Sequence, residues 1–183
     1  MHIKKLIYIA TMILLMTKSY GQTVDRFKVK GTAKLIATWA GKTSNDASGT
    51  LTSGDKISIT TRQIGIYVIL IHNNVGKQLV STGGDDILES TVVKVYEYDF
   101  DSDGQKEIIV IYSPEFSLVT IEVFKYSGEL VERVGNFEGQ YDIVLDKNTI
   151  YLPFGSQGLG NEYLYKGGAF YKLTYHDPNN KDK

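Results

Sequence analysis

Short apolar runs that alternate with polar residues recur along most of the chain. Residues 56–61 place Ile57 and Ile59 at every second position, the period-two pattern of a strand with one buried face. Residues 65–72 are almost wholly apolar and rich in β-branched side chains, as in a strand covered on both faces. The same pattern predicts further strands at 27–29, 35–39, 78–80, 91–98, 107–112, 118–126, 130–134, 141–145, 149–152, 162–165 and 169–175.

Turns rich in glycine, asparagine, aspartate and serine separate these runs. After residue 21, no segment keeps apolar positions at helical spacing. About thirteen short strands, roughly 8 to 12 residues apart, predict an all-β fold. We expect antiparallel sheets arranged as a truncated propeller-like stack, a sandwich or a barrel. The polar segment 41–54 is predicted to be a loop. Segments 91–134 and 141–175 form two loosely similar groups of four strands.

The N-terminus has the pattern of a secretion signal. Lys4 and Lys5 precede an apolar run over 6–16, and Ser19-Tyr20-Gly21 offers small residues at the spacing of a signal peptidase site. The run is too short for a membrane span, which needs roughly 20 residues. We therefore expect a signal peptide at 1–21, one all-β domain at 22–176 and a flexible tail at 177–183. The expected location is periplasmic or secreted.

Charge and cysteine content narrow the classes of function. Removal of the signal would leave a net charge of about −4 without a basic stripe, which argues against nucleic-acid binding. The chain has no cysteine, so thiol catalysis and thiolate metal sites are excluded. No later segment is long and apolar enough to span a membrane. Any metal must bind through oxygen or imidazole.

The segment 99–107, which reads DFDSDGQKE, has the spacing of a calcium loop. Acids at alternate positions converge on one side of a tight bend, and Gly104 permits the left-handed backbone of that bend. The predicted Ca²⁺ ligands are the side chains of Asp99, Asp101, Asp103 and Glu107 and the main-chain carbonyl of Gln105. An EF-hand does not fit, because its twelfth position needs an acid and Val110 stands there. A solvated turn without metal is the alternative.

The loop with its flanking strands, residues 96–110, resembles the calcium loop of FG-GAP and VCBS repeats of integrin-type β-propellers. The shared pattern is acid-x-acid-x-acid-Gly, an acid at the ninth position and an apolar strand. Only one copy is present, so the resemblance implies a truncated propeller or a small relative. Small exported lysozyme inhibitors and immunity proteins are also similar in size and calcium loop. Their Ser-Gly-x-x-Tyr loop has no match here.

The other candidate sites are weaker. The glycine-rich segment 155–160 is followed by a strand rather than the helix that a phosphate loop requires. His72 and His176 lack a companion nucleophile motif, so we expect no enzyme activity. Six aromatic residues near strand ends form either core pairs or an exposed binding surface: Tyr112, Phe116, Tyr151, Phe154, Tyr163 and Tyr165.

Three functions remain open on the sequence. The first is a non-enzymatic calcium-binding module that binds another protein, as an inhibitor or immunity protein does. The second is a carbohydrate-binding or glycan-active surface protein, which would use tyrosines and acids along one sheet face. The third is a structural or adhesive domain of a larger assembly.

Overall fold

The computed structural model describes residues 29–40, 46–63, 66–83, 91–113, 119–140, 142–154 and 159–173. These residues form fourteen strands and no helix, which confirms the all-β prediction. The strands are β1 (Val29–Lys30), β2 (Lys34–Ala40), β3 (Ala47–Thr50), β4 (Lys56–Gln63), β5 (Ile66–Asn73), β6 (Gly76–Gly83), β7 (Val92–Tyr98), β8 (Glu107–Ser113), β9 (Val119–Tyr126), β10 (Val131–Gly139), β11 (Ile143–Asp146), β12 (Thr149–Phe154), β13 (Leu159–Lys166) and β14 (Ala169–Lys172). The predicted signal peptide at 1–21 and tail at 177–183 lie outside the described residues.

The strands form three antiparallel meanders of four consecutive strands each. Sheet I contains β3 to β6, sheet II contains β7 to β10, and sheet III contains β11 to β14. The N-terminal strands extend two of them: β2 pairs antiparallel with β7, and β1 pairs in parallel with β11. Over the described residues none of the sheets closes into a barrel. The two predicted groups of four strands correspond to sheets II and III.

Sheet II lies between the other two, because its side chains enter two separate cores. On β7, Val93 and Val95 pack with sheet I, whereas Tyr96 and Tyr98 pack with sheet III. The alternation follows from the period of two along a strand. The core towards sheet I is rich in isoleucine and valine, and the core towards sheet III holds a cluster of aromatic rings. The apolar run of β8 fits a strand covered on both faces.

The prediction that 41–54 is a loop is wrong for Ala47–Thr50, which forms β3. Its sequence, ASGT, lacks the large apolar residues that mark a strand. The reason is tertiary: a Cβ at Gly49 would collide with the Ile36 carbonyl oxygen, so β3 needs glycine where it passes β2. β10 is also longer than expected and continues to Gly139 beyond a bulge between Arg133 and Gly135.

The connection between β1 and β2 carries the chain from sheet III to sheet II. Gly31 in this connection has a φ of 131°, and a Cβ there would collide with the Leu145 carbonyl oxygen. Only glycine satisfies both conditions without strain. The crossing places Gly31 and Thr32 beside the loop between β7 and β8.

The described residues include no apolar helix of membrane-spanning length.

Candidate metal site

The acidic loop joins the strands β7 and β8 in the interior of sheet II, and the pair Tyr98 and Glu107 closes it. Two residues give the loop its bend, because Ser102 has a φ of 59° and Gly104 a φ of 88°. The Gly104 amide donates to Asp99 Oδ2 at 3.0 Å. The loop shape is therefore fixed by a hydrogen bond within the loop and by the strand pair at its base.

Three of the predicted ligands come together. One carboxylate oxygen from each of Asp99, Asp101 and Asp103 lies within 4.8 Å of the others. Three points at such separations have a common centre no more than about 2.8 Å from each, close to a Ca²⁺–oxygen distance of about 2.3–2.6 Å. A single cation therefore fits all three side chains with little adjustment.

One carboxylate oxygen of Asp99 has no hydrogen-bond donor among the described residues. Asp99 Oδ1 is buried and accepts no hydrogen bond from them, whereas its Oδ2 accepts from the Gly104 amide. Asp101 and Asp103 are exposed. Asp99 is thus the inner residue of the triad, and the other two face solvent.

Phe100 anchors the loop in the aromatic core between sheets II and III. Its side chain is 1% exposed. Its ring lies 4.8 Å from that of Tyr98, 5.4 Å from that of Tyr165 and 5.1 Å from that of Phe170, measured between centroids. Phe100 thus points into the core, whereas Asp101 and Asp103 in the same loop are exposed. This anchor holds the loop against the core at Phe100.

Glu107 lies beneath the loop, outside the aspartate triad. It is 2% exposed, its Oε2 accepts from the Phe100 amide at 3.2 Å, and its Oε1 accepts from the Tyr165 hydroxyl at 3.0 Å. Burial raises the pKa of Glu107, these two hydrogen bonds and one from its own amide oppose that rise, and the charge of Asp101 adds to it. Both carboxylate oxygens of Glu107 accept hydrogen bonds, and Glu107 is not part of the cluster that the three aspartates form. Direct ligation of calcium by Glu107 therefore stays a prediction.

Tyr165 also experiences the negative field of the loop. Burial is the largest cause that raises its pKa far above the usual range, followed by Glu107 and then by the charges of Asp101 and Asp103. Gln105, the remaining predicted ligand, is exposed, and its amide donates to Asp103 Oδ1 at 2.7 Å. The role of its carbonyl stays a prediction.

A second buried acid flanks the loop, and sequence reasoning missed it. Glu97 is 4% exposed on the face of β7 towards sheet I. Its carboxylate accepts from the Thr52 amide at 2.8 and 3.0 Å and from the Thr52 hydroxyl at 2.7 Å, and the Lys34 ammonium lies 3.6 Å away. The available signal was the alternation of Val93, Val95 and Glu97, which places an acid at an inward position.

The other sequence candidates have structural roles where they are described. His72 Nε2 lies 2.8 Å from Ser58 Oγ, a pair on the outer face of sheet I. Tyr165 is buried, and Tyr163 and Tyr112 pack against the two cores, which favours the core interpretation of the aromatic residues. Phe116, His176 and residues 155–158 lie outside the described part of the chain.

Comparisons with known proteins add no relative: no family model, curated protein or solved structure matches the chain.

Proposed function

We propose that this protein is an exported, non-enzymatic calcium-binding β-domain that binds another protein in the periplasm or outside the cell. One observation carries the calcium assignment: Asp99 belongs to a triad of converging carboxylates, and its buried Oδ1 has no donor in the part of the chain that the structure describes. An unsatisfied buried acceptor costs roughly 1–3 kcal/mol, and carboxylates this close repel one another. A divalent cation removes both costs. Oxygen ligands on an irregular loop suit Ca²⁺ better than the strictly octahedral Mg²⁺.

The calcium assignment is tested by titration and by thermal unfolding. Isothermal titration of the exported protein should show one calcium site. At a calcium concentration of about 100 times Kd, the ion should add about 2.7 kcal/mol to the free energy of unfolding. Magnesium should give a smaller effect at the same concentration. An unfolding transition that does not move between calcium and chelator would contradict the proposal.

Variants locate the site. Asp99→Asn and Asp103→Asn each remove one charged ligand and should weaken calcium binding about tenfold or more. The matched control is Glu138→Gln, which removes one exposed charge on β10 and should leave calcium affinity unchanged. Equal weakening in all three variants would mean that only net charge attracts the ion.

Exposed apolar side chains on two neighbouring turns support a protein partner. Val75 in the β5–β6 turn is 75% exposed, and Leu130 before β10 is 64% exposed. The Asn73 side-chain amide donates to the Gly128 carbonyl oxygen at 2.6 Å, which ties the two turns together. Leu79 on β6 is also exposed, at 57%. Large apolar side chains grouped on a surface are typical of protein-interaction sites.

The partner assignment is tested by affinity capture with the exported chain, in calcium and in chelator. A partner that binds through these turns should be retained by the parent protein and by Glu138→Gln. It should be lost by the double variant Val75→Asp, Leu130→Asp, whose calcium-dependent unfolding should remain intact. Retention by the double variant would exclude this surface as the contact.

A further inference from the structure

A cleft of about 460 Å³ adjoins the acidic loop, and three segments of chain form its walls. Gly31 and Thr32 come from the crossing between β1 and β2, Ser102 from the β7–β8 loop, and Lys147 from the β11–β12 turn. Ser102 and Lys147 have φ values of 59° and 48° and are the non-glycine residues with positive φ among those described. Such conformations cost free energy and occur preferentially at binding sites.

Two lysines are the groups of the cleft that could recognise an anionic ligand. Lys106 and Lys147 line the cleft, and neither forms an ion pair with a described carboxylate. Asp99 and Asp146 balance these two lysines when no ion is bound. A divalent ion held by Asp99, Asp101 and Asp103 would cancel two of their three charges, so Asp99 would no longer repel an anionic group that approaches the two lysines. Glu97 also lines the cleft, but Lys34 and Thr52 already satisfy it.

The remaining polar groups suit a ligand that carries hydroxyls as well as a negative charge. Thr32 and Ser102 offer hydroxyl groups, and Asp146 offers an exposed acceptor. Small-molecule sites usually have volumes of about 300–1,000 Å³, so a ligand of one or two sugar rings fits this cleft. We propose that the cleft binds an acidic sugar, with its carboxylate towards Lys106, Lys147 and the ion, and its hydroxyls towards Thr32, Ser102 and Asp146. This proposal rests on the proposed calcium site.

Digalacturonate is a suitable probe, measured by titration calorimetry against the exported protein in calcium and in chelator. We expect binding in calcium and a large loss of affinity in chelator. Lys106→Gln and Lys147→Asn should each weaken binding about tenfold, because each removes one charge-assisted contact. Asparagine is chosen at 147 because it tolerates positive φ. Lys166→Gln, an exposed lysine outside the cleft, is the matched control and should bind as the parent does.

The outcomes separate this proposal from the calcium proposal. If the protein binds calcium but not digalacturonate, the cleft proposal is overturned and the metal site stands. If it binds no calcium, both are overturned. A neutral disaccharide that binds as tightly as digalacturonate would overturn the anionic ligand class. Citrate that binds as tightly would overturn the sugar class. Binding that survives both lysine substitutions would place the ligand elsewhere.

Discussion

Two buried glutamates flank the acidic loop on opposite faces of sheet II, and their surroundings differ. Glu97 precedes the loop and faces sheet I, whereas Glu107 follows it and faces sheet III. Both are almost fully buried, at 4% and 2% exposed. Glu97 has a cation beside it in Lys34 and three hydrogen bonds from Thr52. Glu107 accepts from two neutral donors and forms no ion pair with a described residue. The Lys125 ammonium lies further out, over the Tyr165 ring and 5.8 Å from its centroid.

The difference shows which of the two buried carboxylates has an ion pair among the described residues. A buried carboxylate is stable only when a cation or several donors replace its water. On the sheet I side Lys34 supplies the cation from within the chain. On the sheet III side, burial raises the pKa values of Glu107 and Tyr165, and the negative charges of the loop above the aromatic core add to both rises. A calcium ion from solution would supply positive charge on this side, as Lys34 does beside Glu97.

The largest expected effect is at Glu97. Glu97→Ala removes the acceptor for the Thr52 amide and hydroxyl and should lower the free energy of unfolding by about 2–4 kcal/mol. Because this contact lies on the sheet I side, the loss should be the same in calcium and in chelator. Urea unfolding under both conditions measures it. Glu132→Ala on exposed β10 is the control and should change stability by less than about 0.5 kcal/mol. A loss at Glu97 that appears only in calcium would remove the distinction between the two acids.

An intermediate effect is expected at Tyr165. Tyr165→Phe removes the hydroxyl that donates to Glu107 and should lower the free energy of unfolding by about 1–2 kcal/mol. In the wild-type protein, the raised pKa of Tyr165 means that the folded state retains the phenolic proton more strongly than the unfolded chain does. This stabilisation is complete below the ordinary tyrosine pKa of about 10 and is lost as pH rises above it. The variant should therefore lose stability less steeply above that pH.

Tyr67→Phe is the matched control for Tyr165→Phe. Burial also raises the pKa of Tyr67, but this residue packs in the core towards sheet I, away from Glu107. Both variants should flatten the alkaline decline in stability. Only Tyr165→Phe should also alter the calcium dependence of unfolding, because only Tyr165 contacts Glu107. Identical calcium dependence in the two variants would show that Tyr165 does not connect the core to the loop.

The local features of the site could be predicted from the sequence. The β7–β8 hairpin and the convergence of Asp99, Asp101 and Asp103 depend on residues within one short segment, so strand period and turn chemistry were sufficient. The four-strand groups that became sheets II and III were recognised for the same reason. Sheet I was recognised less completely, because β3 carries no apolar signal of its own.

The long-range features could not be predicted. The contacts of Glu97 with Thr52 and of Glu107 with Tyr165 join residues 45 and 58 positions apart. Both depend on which sheet packs on which face of sheet II, and no local pattern specifies that order. The spacing of acids in the sequence therefore predicted Glu107 as a calcium ligand together with the aspartates. Its hydrogen bonds add a second role, which is to hold Phe100 and the loop against the aromatic core.

The smallest effect, and one of opposite sign, is expected for Glu107→Gln in chelator. Glutamine keeps the shape of the side chain and removes the buried charge, so stability at neutral pH should change by less than about 1 kcal/mol, towards greater stability. Because the pKa of Glu107 is raised, the wild-type protein loses stability from this group as pH rises above the ordinary glutamate pKa. The advantage of the variant should therefore grow from mildly acidic to neutral pH in urea unfolding.

Calcium titration of the same variant then distinguishes the two roles of Glu107. If Glu107 only supports Phe100 from beneath, Glu107→Gln should retain calcium affinity within about threefold, since an amide oxygen still accepts from the Phe100 amide. If Glu107 is itself a ligand, affinity should fall as far as it does in Asp99→Asn. A variant that is less stable than wild type in chelator would mean that the negative charge of Glu107 is needed even without metal. The contrast with Glu97 would then fail, because both acids would stabilise the fold in the same way.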